Sequence, residues 1–114
     1  MLKVTIKYSL GTEMRGSEVT RKFCGKYVDN HVGVEQLRLE LGQLYDDFCL
    51  KYSNMVPADV IEKIGRDMAD TADLADRCMV DDMAFSKCML NRTNKSRMAP
   101  VFVKYGASVE KAVQ

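Results

Sequence analysis

"IEKIGRDMADTADLADRCM", residues 61–79, places apolar or small side chains at Ile61, Ile64 and Met68, and again at Ala72, Ala75 and Met79. The second trio is the first shifted by eleven, and Met83, Ser86 and Leu90 repeat the shift once more. An eleven-residue period, about 3.67 residues per turn, keeps a stripe on one side of a nearly straight helix. The stretch therefore predicts a helix that starts near Pro57, whose ring suits a first turn, and runs to about Asn91. At about 1.5 Å per residue its length is about 50 Å.

Upstream, Leu37, Leu41, Leu44, Phe48, Tyr52 and Met55 recur at three- and four-residue steps and predict a first helix from Val34 to about Met55. "SNMVPAD" (53–59) separates the two, so the centre of the chain reads as an antiparallel helical hairpin spanning 34–91. "LKVTIKY" (2–8) alternates Leu2, Val4 and Ile6 with Lys3, Thr5 and Lys7, the period of a half-buried strand. "SLGTEMRGSE" (9–18) reads as a turn or wide hairpin loop. "VTRKFCGKYV" (19–28) fits strand and helix alike, with a strand through about residue 24 preferred. "APVFVKY" (99–105) is β-branched and aromatic, and a strand over 98–106 would carry Pro100 at its start, where a missing donor matters least. "NRTNKSR" (91–97) reads as a polar loop and "ASVEKAVQ" (107–114) as a loose tail. The expected fold is one α+β domain: a helical hairpin with a long second helix, packed on a small sheet formed from the N- and C-terminal segments.

Charge divides along the same lines. Residues 1–34 hold six basic and three acidic side chains, 35–91 hold six and twelve, and 92–114 hold five and one. A β-rich basic segment at 1–30 thus precedes an acidic hairpin. No apolar run approaches the ~18 residues of a membrane span, and the first residues lack the basic-then-apolar build of a secretion signal. These features predict a cytoplasmic protein. The cysteines at 24, 49, 78 and 88 contain no C-x-x-C pair and read as reduced core residues. His31, in "VDNHVG", reads as a loop residue.

Asp67, Asp70, Asp73 and Asp76 fall at every third position. Each step of three turns a helix by about 300°, so Asp67 and Asp76 face opposite ways and the four do not share one ion. Lys63, Arg66 and Arg77 lie four residues from several of these acids, and such pairs account for most of them as a solvated helix face. Asp82 has no base four residues away and calls for a partner elsewhere. No nucleophile–base constellation, phosphate-cradling glycine loop or cofactor fingerprint is present. The reading is therefore non-enzymatic, with no metal and no cofactor.

The expected function is a protein-binding module, of the small inhibitor or adaptor kind that a phage or mobile element would carry. It would set an acidic face (Asp70, Asp73, Asp76, Asp81) against a basic partner that handles nucleic acid. Leu39 and Leu50, eleven residues apart on the side of the first helix away from its main stripe, are either sandwiched or form an apolar contact ridge. The long second helix and this ridge also suggest a homodimer. The alternative is a nucleic-acid binder that uses a lysine face, with Lys3, Lys7 and Lys104 outward, Lys22 and Lys26 beside them, and Phe102 as a stacking ring. A metal-dependent nucleotide hydrolase built on Asp59–Glu62 and Asp70–Asp73 is the most distant reading, because both pairs share one helix and the first helix has no matching pair.

Overall fold

The computed structural model describes residues 2–12, 16–28, 30–80 and 87–111, with 16–27 described by backbone alone. The elements in order are β1 (Leu2–Thr12), β2 (Gly16–Val28), α1 (His31–Tyr52), α2 (Ala58–Val80), β3 (Lys87–Lys95) and β4 (Val101–Lys111). The strands form one antiparallel sheet in the order β2-β1-β4-β3. The two helices form an antiparallel hairpin packed on one face of that sheet, an α+β fold. The chain ends meet at the centre of the sheet, where β1 pairs with β4 from Leu2↔Lys111 to Thr12↔Val101 without a break.

The period-two pattern of the first strand sets the layers. Leu2, Val4, Ile6, Tyr8 and Leu10 are buried, and β4 answers with Val103, Tyr105, Ala107 and Val109. Against these pack Val34, Leu37, Leu41, Phe48 and Tyr52 of α1 and Val60, Ile64, Met68, Ala72, Ala75 and Cys78 of α2. Tyr8 and Phe48 meet edge to face at 5.2 Å between centroids, a geometry favoured by the ring quadrupoles. α1 starts at His31 because the Asn30 side chain caps it, accepting a 2.9 Å hydrogen bond from Gly33 N–H. Pro57 leads directly into α2, its carbonyl accepting from the N–H groups of Val60 and Ile61.

Several expectations are corrected. The first helix spans 31–52 rather than 34–55, so His31 is helical, and Met55 is exposed beyond the helix end. α2 ends at Val80, making it about 35 Å long. Met83 and Ser86 of the third trio lie outside the described residues, and Leu90 lies on a strand. The eleven-residue repeat is thus seen on α2 for two periods. β3 occupies 87–95, where the end of a helix and a polar loop were expected, and β4 continues through Lys111, so 107–111 belong to the sheet rather than to a tail. The loop expected over 9–18 is shorter as well, since β1 reaches Thr12 and β2 begins at Gly16.

Candidate functional site

Four aspartates of α2, Asp67, Asp70, Asp73 and Asp76, are joined to groups on other elements. Asp67 is buried in the line Val60–Ile64–Asp67–Thr71–Ala75–Cys78, which faces the sheet. Its carboxylate accepts from Arg92 at 2.8 Å and from the buried Asn94 amide at 2.7 Å, both on β3. The same Arg92 nitrogen also bonds Asp70. One turn on, the Thr71 hydroxyl bonds the Asp67 carbonyl oxygen and the Tyr105 hydroxyl, each at 2.8 Å. Asp73 accepts from Arg38 of α1 at 2.8 Å, and Asp76 lies 3.2 Å from His31 Nδ1. The hydrogen bonds to Asp70 and Asp67 raise the Arg92 pKa above its ordinary value, and the bond to Asp73 does the same for Arg38.

The divergence of the four carboxylates is as the helix geometry requires. Asp67 points to the sheet and Asp76 to the start of α1, and no group of acids, histidines and cysteines converges on a metal position among the described residues. The charge partners differ from those expected. Glu62–Arg66 forms at i,i+4, but Asp67, Asp70, Asp73 and Asp76 pair across the fold. Of the proposed acidic face, Asp70, Asp73 and Asp76 therefore have cationic or imidazole partners already. Asp81 and Asp82 lie outside the described residues.

α1 is not sandwiched, because Leu39 and Leu50 are 70% and 83% exposed. Residues 39, 43, 46 and 50 fall within about 60° of one another around a helix, so Leu39, Gln43, Asp46 and Leu50, all exposed, form an outer stripe. The length of α2 no longer argues for a homodimer, which leaves this stripe as its remaining ground.

The sheet face turned away from the helices has the opposite character. The strands carry ten basic and two acidic side chains, and the two helices five basic and ten acidic. Lys7, Lys87, Lys95 and Lys104 are exposed, and Lys3 is half-buried. All five alternate with core-facing neighbours, as period two demands. Among the described residues none of the five is in an ion pair, and no element covers them. The ammonium of Lys104 lies 5.7 Å from the centroid of the outward Phe102 ring. In register, Lys22 stands opposite Lys7, whereas Lys26 stands opposite the core-facing Val4 and Tyr27 opposite Lys3. By backbone register alone, then, Lys22 and Tyr27 are paired with outward lysines and Lys26 with a core-facing valine.

Lys87 and Lys95 do not stand out in the sequence, because β3 lacks a clear local strand pattern. Its inward face, Cys88, Leu90, Arg92 and Asn94, is half polar, which hides the alternation. A usable signal exists in Asp67 and Thr71, which interrupt an otherwise apolar helix line and so require polar partners from a facing element.

No helix of the described residues is long and apolar enough to cross a membrane. No protein-family model, curated protein or solved structure matches the chain.

Proposed function

We propose that this chain is a non-catalytic binding protein that holds single-stranded nucleic acid on the open face of its sheet. The observation that carries the reading is the contrast in charge partners: Asp67, Asp70, Asp73 and Asp76 of α2 pair with groups on other elements, while among the described residues five lysines stand on one uncovered face without an ion pair. Lysine on an exposed strand also serves solvation and edge protection. Here, though, the lysines spread over β1, β4 and β3, including the central strands, so edge protection accounts for only part of them. A four-stranded sheet face is too broad to enter a duplex groove, but it offers a platform along which a backbone can run and on which bases can stack. Phe102 is the stacking ring. Ammonium groups act as point charges without the planar fork of arginine, so the reading implies weak sequence preference and strong dependence on salt.

The test is fluorescence anisotropy of labelled oligonucleotides across a salt series. Single strands should bind, with log K falling linearly in log salt by about 0.7 per phosphate neutralised. Absence of binding at about 50 mM salt, or binding indifferent to salt, overturns the proposal.

The second reading, contact with a basic protein through the acidic hairpin, retains one favourable observation: the exposed Leu39–Gln43–Asp46–Leu50 stripe. Under this reading Leu39→Lys with Leu50→Lys abolishes partner binding and leaves oligonucleotide affinity unchanged. A homodimer through the stripe would appear in sedimentation as a dimer that the same pair of substitutions dissociates.

A further inference from the structure

Gly106 lies in the middle of β4 with an unbroken register on both sides, Lys7↔Gly106 on β1 and Asn91↔Gly106 on β3. A glycine inside a strand weakens it, and commonly marks a bulge or a place where another backbone or a ligand comes close. The continuous register excludes a bulge. The missing side chain instead leaves a dent in the open face. On one side of it stands the row Ser9–Lys104–Thr93 and on the other Thr5–Ser108–Met89, so Gly106 is the floor at the centre of a three-by-three grid of outward positions.

Two shallow hollows meet at this glycine, one of about 340 Å³ lined by Lys7, Ser9, Asn91, Thr93 and Lys104, and one of about 220 Å³ on the Ser108 side. A methyl group placed on Gly106 would come within 3.2 Å of Asn91 Oδ1, so the Asn91 side chain already reaches over the floor.

We infer that this dent is a seat for one backbone phosphate of the bound strand. The inference rests on the nucleic-acid reading above and gives it a fixed point. Two ammonium groups, two hydroxyls and a carboxamide converge there, all able to donate hydrogen bonds to phosphate oxygens, with charge assistance from the lysines. No acidic side chain lines either hollow. Lys3 and Lys87 meet different surroundings: both stand in register with Glu110, which forms no ion pair with either but lowers the positive potential around them. Strand position, not lysine number, then decides where the phosphate sits.

The experiment measures single-strand affinity and salt slope for Gly106→Val, Lys7→Gln and Lys87→Gln in the full chain. Gly106→Val removes no charge and fills the dent with a side chain favoured in strands. Lys7→Gln and Lys87→Gln each remove one charge from the same face, at the dent and away from it. The expected result is an affinity loss of about fivefold at 0.1 M salt, with a slope reduced by about 0.7, for Gly106→Val and for Lys7→Gln alike. Lys87→Gln loses about twofold or less. If Gly106→Val fails to fold by circular dichroism, Gly106→Ala takes its place, with Asn91 free to swing outward, and a loss of about twofold is expected. Wild-type affinity in the filled variant, or equal losses for Lys7→Gln and Lys87→Gln, overturns the seat while the nucleic-acid reading stands. Absence of oligonucleotide binding by the unaltered chain overturns both.

Discussion

Asp73 and Lys104 are both charged, both exposed and both fixed on regular secondary structure, yet their surroundings are opposite. Asp73 accepts a 2.8 Å hydrogen bond from Arg38 across the helical hairpin, whereas Lys104 has an aromatic ring nearby and is in no ion pair among the described residues. The same holds for the layers they belong to. The helices hold most of the acid, and its central members are drawn into contacts within the fold: Asp67 and Asp70 to β3, Asp73 and Asp76 to α1. The sheet holds the base, and its outward lysines face solvent. A count of charges along the sequence marks the hairpin as the more conspicuous surface, while the pairing pattern favours the sheet. For a binding surface, what matters is the charge that remains unmatched after folding.

The largest effect is expected from unpairing the buried carboxylate. Arg92→Ala leaves the Asp67 carboxylate buried with Asn94 as its remaining side-chain partner. Removing one member of a buried pair costs about 3–5 kcal/mol, and the half-exposed Arg92 side chain places this case near 3 kcal/mol. Urea unfolding checks it. A loss below about 1 kcal/mol would give this pair the weight of an ordinary surface contact and remove the ground for treating Asp67 as structural.

A smaller effect should follow at Tyr105, whose hydroxyl meets Thr71 beside the same network. Tyr105→Phe should lower stability by about 1 kcal/mol, the net value of one hydrogen bond. Burial pushes the Tyr105 phenol well above its usual range. The unfolded chain therefore ionises this group near pH 10 while the folded chain keeps it protonated. Its contribution is complete below about pH 10 and declines as the pH rises further, by up to about 1.4 kcal/mol per pH unit. Alkaline denaturation should accordingly be steeper in the wild type than in Tyr105→Phe. Equal slopes would mean that the phenol ionises within the folded state.

The smallest effect belongs to the outer pairs. Arg38→Ala or Asp73→Ala should cost about 0.2–1 kcal/mol, because an ion pair this exposed is largely compensated by water. A double-mutant cycle between them measures the coupling. A coupling above about 2 kcal/mol would place this pair with the buried network rather than with the surface.

Elements with apolar inward faces were legible in the sequence. β1 reads directly from Leu2, Val4 and Ile6 against Lys3 and Lys7, and α1 from its leucines, displaced by three residues because Asn30 caps it earlier than the stripe begins. β3 was illegible because Arg92 and Asn94 occupy inward positions, and their reason for being there is Asp67, 25 and 27 residues away. The end of β4 reads as a tail in the sequence because Ala107 and Val109 are too few and too small to show alternation against Ser108 and Glu110. Lys3, Lys7 and Lys104 follow from period two alone. Asn91, Thr93 and Gly106 join them only through the register of β3 on β4, which no local pattern contains.

The central claim, that the working surface is the sheet rather than the acidic hairpin, is tested most directly by charge reversal on each in turn. Single-strand affinity is measured for Lys3, Lys7 and Lys104 all changed to Glu, and for Asp73 and Asp76 both changed to Lys, with folding checked for each. The lysine reversal should remove binding, with at least a ~25-fold loss at 0.1 M salt from the contacts of Lys7 and Lys104 at about 0.7 log units each, Lys3 adding less beside Glu110, while the aspartate reversal leaves affinity unchanged or raises it. Binding that survives the lysine reversal, or is lost with the aspartate reversal in a folded protein, would contradict the claim.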